Sequence, residues 1–171
     1  TVDAIARIPT VTAPAGVRPL GISTVNSLQD GAWNDPNTWD CACTPNAGNN
    51  VVIATTHDVT DAGADMTVND LTINGTGSLT VGSFTLSIFG DGPALGSSLI
   101  TNCNSGLNIE DNGGAAQFVF PTTTSTIKKL TMNRSAGAIS DHDIDLDNCI
   151  PADSVVLVLT NGVLEFTGAA M

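Results

Sequence analysis

A chain of 171 residues, 42% apolar with mean hydropathy +0.18, can bury a core and is not a disordered polymer. Its formal charge of −12, with five cations in all, excludes the basic face that nucleic acid requires and opposes docking on an anionic membrane. No apolar run approaches the ~18 residues that span a bilayer, so no membrane insertion is expected.

The composition is that of a β protein. Aromatics are 4%, Tyr is absent, and Thr, Val and Ile recur between Gly and Asn. Branched Cβ atoms suit a pleated strand, and Gly and Asn tolerate the positive φ of tight corners.

Residues 1–29 form a distinct first region. Pro9, Pro14 and Pro19 recur every five residues, with Ile8, Val11, Val17 and Leu20 between them. Proline removes ladder donors, so an extended arm or leader is predicted. Residues 1–24 of it are expected to pack along the domain's flank or to be donated as a strand to a second subunit, giving a filament. The rest, 30–171, reads as one β domain, expected to be the N-terminal part of a longer chain.

Within that domain the predicted strands are Val51–Ala54, Met66–Ile73, Ser78–Val81, Phe84–Ile88, Ser98–Thr101 and Leu107–Ile109. Gln117–Phe120, Ile127–Met132, Ala138–Leu146, Val155–Thr160 and Val163–Phe166 follow. Leu71-Thr72-Ile73, Leu79-Thr80-Val81 and Leu86-Ser87-Ile88 are near copies, eight and seven residues apart. Each triplet sends two apolar side chains to one face and a hydroxyl to the other. Joined by Gly, Asn or Ser corners, such triplets coil into rungs of about 20–30 residues with a continuous apolar interior. The prediction is an all-β parallel β-helix, or β-solenoid. The alternative is an antiparallel β-sandwich, which Asn161-Gly162, a hairpin signal, favours.

Residues 31–60 contain Gly31-Ala32-Trp33-Asn34-Asp35-Pro36-Asn37-Thr38-Trp39, then Val51-Val52-Ile53 and His57-Asp58-Val59-Thr60. This resembles the opening segment of secreted cell-surface proteins of Bacteroidetes exported by the type IX route, with its G-x-W-x-x-x-x-T-W start. Val68 to Leu79 matches the V-x-x-L-T-I-x-x-x-G-x-L continuation, and Ile127–Asn133 and Leu157–Leu164 resemble later rungs. The resemblance implies export, a β-solenoid fold and a role as an adhesin or stalk segment. It implies no catalytic residues.

Trp33 and Trp39 flank a turn built on Asp35-Pro36. They are candidate glycan contacts, since exposed indoles stack on sugars. The favoured use is as an N-terminal cap that shuts the coil's open end against water. Cys41, Cys43, Cys103 and Cys149 lack zinc-ligand spacing and are expected as disulfides of an oxidising compartment. Their pairing is open among three options; Cys41–Cys43 with Cys103–Cys149 is preferred, although a link across one residue is tight.

Asp141, Asp143, Asp145 and Asp147 alternate along one face of a predicted strand. They are either a solvated edge or ligands for calcium, the hard cation available outside cells. Asp58, Asp61 and Asp65 make a looser acidic group. His57 and His142, the only histidines, join no nucleophile elbow, phosphate loop or metallohydrolase helix. Ser154 in Asp153-Ser154-Val155 resembles the O-glycan attachment site of the same bacterial group. The expectation is an extracellular, non-enzymatic structural or adhesive module with a surface, glycan or self-association partner. A carbohydrate-binding module and an arm-linked filament subunit are the alternatives.

Overall fold

The computed structural model describes residues 23–61, 63–90, 99–110, 117–120, 126–140 and 157–166, with backbone alone at 139, 140 and 166. The apolar–hydroxyl–apolar triplets become short strands between bends. In chain order these are β1 Ser23–Asn26, β2 Gly31–Ala32, β3 Asn49–Ile53, β4 Asp58–Thr60 and β5 Met66–Val68. Next come β6 Leu71–Ile73, β7 Ser78–Thr80, β8 Thr85–Ile88, β9 Leu99–Ile100 and β10 Gly106–Glu110. The last are β11 Phe118–Val119, β12 Lys129–Asn133, β13 Ala138–Ser140, β14 Leu157–Asn161 and β15 Leu164–Phe166. Among the described residues the only helical element is a 3-10 turn, Pro36–Thr38.

Every pairing between these strands is parallel, in four ladders ordered β1-β3-β6, β2-β4-β7-β9, β5-β8-β10-β12-β14 and β11-β13-β15. The chain is therefore a parallel β-solenoid of about four turns. An antiparallel sandwich is ruled out.

Register gives the rung length. Val51 sits against Leu71, Val59 against Leu79 and Met66 against Leu86, each 20 residues on. Leu107 follows Leu86 by 21 residues, Leu130 follows by 23, and Leu157 by 27. The inward row Met66, Leu86, Leu107 and Leu130 is buried, as is its neighbour Val68, Ile88, Ile109 and Met132. Fully burying a side chain of this size contributes about 1.5–3 kcal/mol. The interior is thus a stack of like on like.

Several differences from the predicted strands have physical reasons. Met66–Ile73 is two strands, because Val68 and Leu71 both point inward although they are an odd number of residues apart. One straight strand would put them on opposite faces, so the chain turns at Asn69-Asp70. Asn161-Gly162 is a corner between β14 and β15, which pair with β12 and β13 and not with each other. Gly162 has φ +87°, and a Cβ there would run into the Arg134 carbonyl of the rung beside it. The coil also takes in part of the segment read as an arm: β1 pairs with β3, and Val25 is buried. The strand read over Ala138–Leu146 is seen as β13, with 141–146 outside the described residues.

Arg134 is a cation inside this core. It is fully buried, and its Nη1 donates to the Gly90 carbonyl, with the Glu110 carbonyl at 3.5 Å. Carbonyl groups at the corners of two lower rungs thus replace water around the guanidinium.

Candidate functional site: the closed first turn

The most specific stretch of sequence, Gly31 to Trp39, begins with the edge strand β2 and returns beside Ser27, just after the edge strand β1. Asp35 takes an extended conformation before the 3-10 turn, and its Oδ1 accepts from Asn37 N and Nδ2, each at 2.9 Å. Pro36 starts the turn, where a missing N–H costs nothing. Thr38 is buried and its Oγ1 donates to the Ala32 carbonyl at 3.0 Å. A Cβ at position 31 would collide with that hydroxyl, so a glycine there lets the turn fold back on β2.

This geometry drives both indoles inward. Trp33 N donates to the Thr60 carbonyl at 2.8 Å, and Trp39 Nε1 donates to the Trp33 carbonyl at 2.8 Å. The rings meet edge to face, with centroids 5.1 Å apart and planes at 72°. They are 3% and 1% exposed and belong to the same apolar cluster as Val25, Val51 and Val59. Neither ring has a face in solvent, which corrects the reading of Trp33 and Trp39 as glycan contacts. The Asp35 turn is too tight to leave the indoles outside.

Around the turn, polar side chains tie it to the end of β1 and to the next rung. Asp40 accepts from Asn26 N at 3.0 Å and from Asn26 Nδ2 at 2.7 Å, and its own N–H donates to the Asn26 carbonyl. Ser27 Oγ accepts from Ala54 N at 2.9 Å and lies 2.8 Å from His57 Nδ1. His57 is thereby tied to the first rung's corner.

The looser acidic group has the same use. Asp58 accepts from Ser78 Oγ at 2.6 Å, Asp61 from Gly82 N at 3.0 Å and Asp65 from Thr85 N at 2.8 Å. The offsets are 20, 21 and 20 residues, one turn each. These carboxylates staple successive rungs. Along the chain they read only as a loose acidic group, because each partner stands one turn ahead. Ser27, Thr38 and the buried Arg134 carried no signal in the sequence.

Cys41 and Cys43 form a disulfide, with Cα atoms 5.1 Å apart, just after the second indole. Cys103 is disulfide-bonded as well, and Cys149 lies outside the described residues. So do Asp141, Asp143, Asp145 and Asp147, read as calcium ligands, and Ser154, read as a glycan site. Among the described residues no group of three or more His, Cys, Asp or Glu side chains is placed to hold a metal. No helix among them is long and apolar enough to cross a membrane.

The fold and the closed turn together define the class: a parallel β-solenoid with a tryptophan cap. No protein-family model, no curated protein and no solved structure matches the chain.

Proposed function

We propose that this chain is an extracellular structural module, a stiff coiled segment of a cell-surface stalk or adhesin, with no catalytic role. The observation that carries this reading is the use of the double-Trp turn. The most distinctive residues of the chain, Trp33, Asp35, Thr38 and Trp39, are spent on closing the coil and on each other's hydrogen bonds. Distinctive residues committed to shape are what a spacer requires. The outward row Thr67, Ser87, Asn108 and Thr131, in register across four strands, adds a small, neutral, hydrophilic flank. A net charge of −12 keeps neighbouring copies apart at high surface density.

A carbohydrate-binding module is the weaker alternative, since it would need another aromatic platform than the buried indoles. For a filament subunit the linking segment would be residues 1–24, of which 1–22 lie outside the described residues.

The test is protease treatment of intact producing cells, with mass spectrometry of the released peptides. Peptides of this chain are expected in the shaved fraction. Recovery only from the cytosol of lysed cells would overturn the reading.

A further inference from the structure

The Cys41–Cys43 disulfide has three properties that a structural staple does not need. It closes a ring across one residue, and the stabilisation from a cross-link grows with the logarithm of the loop it closes, so this ring contributes least. Its middle residue, Ala42, has φ +50°, a left-handed conformation that residues with a Cβ avoid. Thr56 is the only other non-glycine residue with positive φ among the described residues. Finally, the ring is accessible: Cys41 and Ala42 are exposed and Cys43 is half-buried.

The cap beside it is held by other bonds. Asp40 is clamped to Asn26 through both backbone and side chain, and the Trp39 indole donates to the Trp33 carbonyl. None of those contacts passes through the two sulfurs; the ring's own tie to the cap is Ala42 N, which donates to the Trp39 carbonyl at 3.1 Å.

We propose that Cys41–Cys43 is a thiol–disulfide exchange site whose partner is an external thiol. The incoming thiolate attacks Sγ of Cys41, the more exposed of the two residues. A mixed disulfide forms there, the bond to Cys43 breaks, and Cys43 leaves as a thiolate that takes a proton from water. A second thiolate attacks the mixed disulfide at the external sulfur and departs as an external disulfide. Cys41 is then a thiol: two external thiols have been oxidised and the ring reduced by two electrons. When no second thiol arrives, Cys43 attacks Sγ of Cys41 and expels the first one, restoring the ring.

The experiment uses the full chain of 171 residues in buffers of reduced and oxidised glutathione, quenched by alkylation and read by peptide mass spectrometry. Cys41 and Cys43 are expected to become alkylated at a squared reduced-to-oxidised ratio at least ~10-fold lower than Cys103, with the far-ultraviolet circular dichroism unchanged. Ala42→Val, which makes the left-handed conformation harder to hold, is expected to lower that ratio by a further ~3-fold or more. Cys41→Ser with Cys43→Ser is expected to leave the melting temperature within a few degrees. Opening of both disulfides at one ratio, loss of the β spectrum as the ring opens, or an Ala42→Val ratio equal to that of the unaltered chain would each overturn the proposal.

Discussion

At the first turn of the coil, two indoles in edge-to-face contact lie in the apolar interior, 3% and 1% exposed, with the Trp39 N–H satisfied. At the last described rung the same interior row continues in register, Leu157 on Leu130 and Leu159 on Met132, yet those leucines are 38% and 51% exposed, with Val163 at 66%. Leu130 and Met132, one rung earlier, are fully buried. A rung covers the rung before it, and in the last described rung Leu157 and Leu159 keep a side in water. At the first described turn the two indoles instead pack on each other inside the buried cluster, with the Trp39 N–H on the Trp33 carbonyl.

Trp39→Ala removes the most buried large side chain of the cap and orphans its contact with Trp33; a loss of ~3–5 kcal/mol in urea unfolding is expected. Next in size is a matched pair within one row. Leu130→Ala is expected to cost ~3 kcal/mol, whereas Leu157→Ala, one rung further and partly wet already, is expected to cost less than ~1 kcal/mol. Equal costs at 130 and 157 would mean that the two ends do not differ as their exposures indicate. Asp35→Ala deprives Asn37 of its acceptor and frays the turn that places both indoles; ~1 kcal/mol is expected, with the near-ultraviolet tryptophan signal reduced before the far-ultraviolet one.

Most of the fold was legible, and the reasons are local. The triplets at Leu71, Leu79 and Leu86 carry strand periodicity, and their corners are Gly, Asn and Ser. The parity break between Val68 and Leu71 was also present in the sequence, and reading Met66–Ile73 as one strand overlooked it. What the pattern concealed was three-dimensional. Asn161-Gly162 has the same composition in a hairpin as in a solenoid corner, and only the pairing of β14 with β12 decides between them. Asp58, Asp61 and Asp65 look like a loose acidic group along the chain, because their partners stand one full turn away. Arg134 sits in a polar stretch of sequence, and nothing in its neighbours signals that carbonyl groups from distant corners surround it. At the closed turn, the spacing of Trp33 and Trp39 around Asp35-Pro36 located the cap. Whether the rings face sugar or core depended on the fold-back at Gly31 and Thr38.

The smallest expected effect belongs to the last described rung. Leu159 occupies an inward position by register, and a leucine there would ordinarily be worth as much as Met132 beside it. Half of it is in water, however, so Leu159→Thr removes little burial and supplies a β-branched residue suited to the strand. The two terms nearly cancel, and unfolding free energy is expected to change by no more than ~0.5 kcal/mol in either direction. A loss above ~2 kcal/mol, the range of a buried leucine, would show that Leu159 is covered in solution.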